Sequence, residues 1–131
     1  MSMVHDNMIN LYQVDFVNKS LRLETEYWCG DVHEKTDVIF TDYFTHIFHN
    51  VSNEGNIIFD IEECPLQWFY EYEQERLDVD KNYISKFYSK DKDDYFEFFQ
   101  SNDYKVFSID SSCGLCGYVV AKKMVIQVEK V

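Results

Sequence analysis

An α+β fold, with a mainly antiparallel five- to six-stranded sheet and two helices packed on one face, follows from three features of the sequence. Segments near both ends alternate apolar and polar residues with period two, two central segments carry apolar residues at helical spacing, and a Gly-rich turn joins the last two strands. The sequence has no internal repeat, no low-complexity tract and one proline, so residues 1–131 are expected to form a single domain.

The opening pair is a hairpin. Tyr12, Val14 and Phe16 alternate with polar neighbours, as do Leu21, Leu23, Thr25 and Tyr27 with Arg22, Glu24 and Glu26. Asn18-Lys19 supplies the turn, and the alternation predicts one dry and one wet sheet face. A third strand is predicted at Asp37 to Thr41. A fourth is predicted at Asn56 to Glu62, with Ile57, Phe59 and Ile61 on one face and Ile58 and Asp60 on the other.

Pro65 suits the first position of a helix, where its missing N–H goes unneeded, and the helical spacing runs to about Leu77. Leu66, Phe69, Tyr70 and Leu77 share the side toward the core; Trp68, Glu71, Tyr72 and Glu75 share the other. A second, short helix is predicted over Asp91 to Asn102, with Tyr95, Phe96, Phe98 and Phe99 as its bulk. Two closing strands, Tyr104 to Asp110 and Tyr118 to Val128, flank the turn Cys113 to Gly117. Tyr118, Val120, Met124, Ile126 and Val128 are assigned to one face, with Lys122 as the exception.

The formal charge of −12 is unevenly distributed. Residues 1–80 hold 17 acids against 4 bases, a net −13, and residues 81–131 hold 7 acids against 8 bases, a net +1. Such a field repels phosphate backbones and anionic membrane surfaces and attracts basic proteins, so neither nucleic acid nor membrane is expected as a partner. An aromatic content of 18% assigns the acidity to a folded surface and not to a disordered tail. With no secretory leader and no apolar run of membrane-spanning length, the expected location is cytoplasmic and the four cysteines are expected as free thiols.

Three groupings have residue types that could carry chemistry. Cys113-x-x-Cys116 has redox spacing, but the strand-like Gly117-Tyr118-Val119-Val120 follows it where a thiolate-stabilising helix would be needed. Cys29 and His33 could complete a zinc set with that pair, which keeps a zinc-stabilised regulatory subunit open. His46 and His49 on a turn of helix, with Asp42 one turn earlier and Glu62 or Glu63 as base, would suit a small metal-dependent enzyme. Phe44, Ile47 and Phe48 fit the same segment to simple packing. The expectation is no catalytic residue, no metal and no cofactor.

The segment from 60 to 80 is the predicted partner-binding surface, specifically Asp60, Glu62, Glu63, Trp68, Glu71, Tyr72, Glu75 and Asp78. Aromatic anchors supply most interface energy, and complementary charge sets encounter rate and specificity, so this pattern suits a partner rich in Arg and Lys. Glu24, Glu26, Asp31, Glu34 and Asp37 are expected to extend it into one negative surface. The same pattern also fits an ordinary exposed helix face with Trp68 folded onto the core.

The order of these elements carries a resemblance. The hairpin from Leu11 to Trp28, Val38-Ile39-Phe40-Thr41-Asp42 leading to His46, Asn56-Ile57-Ile58-Phe59-Asp60-Ile61-Glu62-Glu63, and the late Gly114-x-x-Gly117-Tyr118-Val119-Val120-Ala121 together resemble the small acidic immunity proteins encoded beside bacterial polymorphic or contact-dependent toxins. The resemblance implies a cytoplasmic inhibitor that binds one cognate toxin domain, often a nuclease with a basic channel, and blocks its active site. It carries over no catalytic residue, and Cys113 and Cys116 have no counterpart in the pattern. The expected state is a monomer or weak homodimer.

Overall fold

The computed structural model describes residues 4–72 and 92–130, and the side chains of 92–96 and 130 are left out of the description. The chain order is β1 (Met8–Asp15), β2 (Ser20–Cys29), β3 (Val32–Thr41), β4 (Thr45–His49), β5 (Ile57–Cys64), α1 (Leu66–Tyr72), α2 (Lys92–Ser101), β6 (Lys105–Cys113), β7 (Cys116–Ala121) and β8 (Lys123–Lys130). All strands join one antiparallel sheet in the order β4-β7-β6-β5-β1-β2-β3-β8. The fold is α+β, as expected, but the sheet has eight strands, not five or six.

Two bends account for the difference. β3 turns into β4 at residues 42–44, where Asp42 takes a positive φ of 51°, and β7 turns into β8 at Lys122. Backbone bonds from Phe44 N to Val120 O (2.8 Å) and from Lys122 N to Thr41 O (3.0 Å) carry the ladder around both bends. The two bent ribbons therefore stay paired along their length, and the sheet curls back on itself. Periodicity cannot register such a bend, because each arm keeps its own alternation.

The bend at Lys122 also exchanges faces. Val119 and Ala121 point into the enclosed core with Met124, whereas Tyr118 and Val120 point out toward the helices. The single face assigned to Tyr118, Val120, Met124, Ile126 and Val128 is thus corrected, and Lys122 is the residue that resets the parity. A similar correction applies to β5, where register shifts around Ile58 put both Ile58 and Ile61 inside and leave Phe59 exposed.

The enclosed core joins Leu21 and Leu23 of β2, Val38 and Phe40 of β3, Ile58 and Ile61 of β5, and Phe107 and Ile109 of β6. Phe40 and Phe107 meet with ring centroids 5.4 Å apart. A polar chain threads the same interior: Asn7 Nδ2 donates to Thr25 Oγ1 (2.9 Å), which donates to the Thr36 carbonyl (2.7 Å), so the buried polar atoms are paired. Asn56 ties the loop before β5 to the β6–β7 turn: its Oδ1 accepts from Ser52 N and Leu115 N, and its Nδ2 donates to Ser52 O.

A second core lies on the outer face of β4, β6 and β7, under both helices. Phe69 of α1 and Phe99 of α2 are fully buried there against Ile47, Val106 and Val120. Burial of each such side chain stabilises by about 1.5–3 kcal/mol. Phe44 reaches up from the bend into this layer and meets Phe98, Phe99 and Tyr104. The expected packing of two helices on one face is therefore present, with Phe98 and Phe99 in place; the side chains of Tyr95 and Phe96 are left out of the description, and the predicted extension from Glu73 to Leu77 lies outside the described residues. No helix among the described residues is long and apolar enough to cross a membrane.

Candidate functional site

Pro65 precedes α1, and the N–H groups of Trp68 and Phe69 bond back to its carbonyl at 3.0 and 3.5 Å. Phe69 anchors this short helix, with Leu66 and Tyr70 packed beside it. At helical spacing the opposite side must face outward, and Trp68 is 57% exposed and Tyr72 74% exposed. Trp68 therefore does not fold onto the core. Glu71, between the two rings in sequence, is exposed and accepts a bond from Gln67 Nε2 at 2.9 Å.

The adjoining strands add carboxylates. Asp60 stands directly opposite Asp110 on β6, and Glu62 opposite Ser108, whose hydroxyl donates to Asp110 Oδ1 at 3.1 Å. Like charges directly opposite on a sheet repel. Cys64, on the same strand, senses the field: burial, reinforced by Glu62 and Asp110, pushes its thiol up to about 11. Glu63 makes an exposed pair with Lys105 at 3.6 Å. The predicted residues Asp60, Glu62, Glu63, Trp68, Glu71 and Tyr72 thus belong to β5 and α1, while Glu75 and Asp78 lie outside the described residues.

The acids of residues 24–37 do not extend this surface. Asp31 lies in the β2–β3 turn and Glu34 faces Tyr27 on the side of Thr36 and Val38; β1, which stands between β2 and β5 in the sheet, has no carboxylate before Asp15, and Glu24, Glu26 and Asp37 occupy the outer face of β2 and β3. There Glu24 faces Asp37 across strands, and Arg22 bridges both, at 2.9 Å to Glu24 and 3.9 Å to Asp37. A shallow groove of ≈ 480 Å³ runs over this face, lined by Asn10, Glu24, Glu26, Asp37, Gln127 and Glu129 among others. Among the described residues, β1 thus stands between these acids and those of β5.

One cluster on the second surface was not singled out from the sequence. Glu26 Oε2 accepts from Trp28 Nε1 (3.1 Å) and contacts His33 Nε2 (2.8 Å), and the Trp28 and His33 rings stack at 3.4 Å. The His33 hydrogen bond holds the Glu26 carboxyl below the usual carboxylate range. Trp28 stays 66% exposed. Hairpin register would have found it, because strands meeting at Asn18-Lys19 and again after Cys29 bring Trp28 opposite His33.

The groupings weighed as metal sites come apart. Residues 45–49 form a strand and not a turn of helix, so successive side chains alternate: His46 joins Phe48, Tyr12 and Tyr43 on one face, while Ile47 joins the helix-side core. His49 is three residues from His46 and so projects to the other side. Cys29 sits at the β2–β3 turn, His33 is engaged with Glu26, and Cys113 donates its thiol to Gly55 O at 2.8 Å. Among the described residues no three His, Cys, Asp or Glu side chains converge where they could hold a metal ion, and all four cysteines are free thiols.

Comparison with family models, with curated proteins and with solved structures finds no match to this chain.

Proposed function

We propose that this chain is an immunity-type binding protein that neutralises a cognate toxin domain by covering its basic active site with an acidic surface. The observation that carries the reading is the exposure of Trp68 and Tyr72 on either side of Glu71, on a helix pinned to the core by Phe69. Two aromatic rings held in place by a packed helix lose little freedom on binding, which is the property of an interface anchor. Asp60, Glu62 and Asp110, on the strands β5 and β6, present charge that a row of Arg and Lys would satisfy.

The partner class that fits is a protein with a basic cleft, and a nuclease domain is the leading candidate because its substrate channel must attract phosphates. The small metal-dependent enzyme is the weaker reading, since His46 and His49 lie on opposite faces of β4.

The test uses the product of the adjacent reading frame. Its activity should fall to zero as the chain is added to one equivalent, and the combination Trp68→Ala with Glu71→Lys should weaken inhibition by at least about tenfold, or ~1.4 kcal/mol. Undiminished inhibition by the folded double variant would remove α1 from the interface.

A further inference from the structure

We propose that β8 pairs with β8 of a second copy of this chain, joining two sheets edge to edge about a two-fold axis in one particular register. Among the described residues β8 pairs only with β3, so one side of an eight-residue strand has backbone N–H and C=O groups without a strand partner there. The β3–β8 register runs unbroken from Thr41↔Lys123 to Glu34↔Lys130, without the bulge that would twist an edge away. β8 also contains no proline. The other free edge, β4, has only five residues.

Side-chain placement singles out a second copy as the occupant. Thr36, Val38 and Phe40 are buried on the inner face, so their partners Val128, Ile126 and Met124 share that face. These three apolar side chains are only partly covered, and Val128 is 40% exposed; among the described residues no strand lies beyond them. On the outer face β8 carries Lys123, Val125, Gln127 and Glu129.

A two-fold axis perpendicular to the sheet must put inner residues opposite inner residues, which in an antiparallel pair restricts the register to every second alignment. Centring on Ile126 sets Ile126 opposite itself, Met124 opposite Val128, Val125 opposite Gln127 and Lys123 opposite Glu129. Symmetry makes each unlike pair occur twice, giving two Lys123–Glu129 ion pairs across the junction. Shifting the centre to Val125 puts Lys123 opposite Gln127, and shifting it to Gln127 puts Glu129 opposite Val125, so only the Ile126 register is complementary in charge. The ladder ends where position 130 reaches Lys122, which already lies in the bend. Strand addition supplies the backbone bonds, and the cross-strand pairs supply the selectivity.

The experiment is sedimentation of the full chain over a concentration series at low salt, with Lys123→Glu alone and combined with Glu129→Lys. Wild type should shift from monomer toward dimer with concentration. Lys123→Glu should raise the dissociation constant about tenfold, since two attractive pairs become repulsive, and the double exchange should bring it back. Glu129 also faces Lys35 within the chain, so a thermal melt checks that each variant is folded. Amide exchange on wild type gives a second reading, with protection of 123–130 rising as concentration rises. A monomer at every concentration, a folded Lys123→Glu variant that dimerises like wild type, or a folded double exchange that fails to recover would each overturn the pairing.

Discussion

The two halves of this sheet use the same backbone architecture for opposite purposes. In the half formed by β4, β7 and β6 the outer face is dry where the helices cover it: Ile47, Val106 and Val120 lie beneath Phe69 and Phe99. In the half formed by β1, β2, β3 and β8 the outer face is wet, and its carboxylates are interleaved with Arg22 and Lys35. Acidity is therefore internally balanced on the open half and less so on the helix side of β5 and β6, where Asp60 faces Asp110; the Glu63–Lys105 pair has the parity of Phe107, on the other side of these strands. The lesson is that net charge per segment does not locate a binding surface. Local pairing does.

Core truncation should separate the halves most strongly. Phe69→Ala is expected to lower unfolding free energy by about 3–5 kcal/mol, because a fully buried ring leaves a cavity, whereas Ile39→Ala on the open outer face should cost about 1 kcal/mol. Urea midpoints measure both, and equal losses would erase the distinction between a covered and an open half.

Thiol chemistry probes the same contrast with less disturbance. With its thiol pushed up to about 11 against an ordinary 9, Cys64 should alkylate roughly a hundredfold more slowly in the folded chain at pH 8 than in urea. The sign for stability follows from the protonated form being favoured in the fold. That contribution is complete below about pH 9 and is lost as pH rises from there toward 11. Mass-resolved labelling of Cys64 and Cys29 checks it.

Arg22→Ala tests the balance of charge on the open half. Its exposed pairs are worth at most about 1 kcal/mol, and the remaining Glu24–Asp37 repulsion should make the loss larger at low salt than in 1 M salt. A salt-independent loss would mean that Arg22 acts through packing alone.

The smallest effect concerns Glu26. Its carboxyl is held below the ordinary value of 4.5 by His33, so the contact persists above that value and is lost only as pH falls through the lowered one. In a Trp68→Phe background, Trp28 fluorescence should therefore step at a pH below 4.5, and Glu26→Gln should abolish the step.

Local patterns in the sequence located most elements. The hairpin turn at Asn18-Lys19 forms as expected, secured by Asp15 accepting from Val17 N and Asn18 N at 2.9 and 3.0 Å. Pro65 and the spacing of Leu66 and Phe69 place α1 correctly, and exposure of Trp68 and Tyr72 follows from the same geometry. What escaped were features that depend on a change of parity or on a distant partner. Lys122 swaps the faces of two arms, the irregularity near Ile58 turns Phe59 outward, and Thr45–His49 extends as a strand because β7 is there to pair with it. Gly117 belongs to the same class: it takes a φ of +144°, and a Cβ there would collide with the Ile47 carbonyl, so its role is set by β4 and not by the turn from Cys113.

The most direct test of the proposed recognition is the association rate of this chain with the product of the adjacent reading frame, followed by stopped flow from about 50 mM to about 500 mM salt. The expected result is a rate that falls steeply with salt for wild type and less steeply for Glu71→Lys combined with Glu62→Lys. A rate that ignores salt, or a folded variant indistinguishable from wild type, would contradict recognition through the face built by β5 and α1.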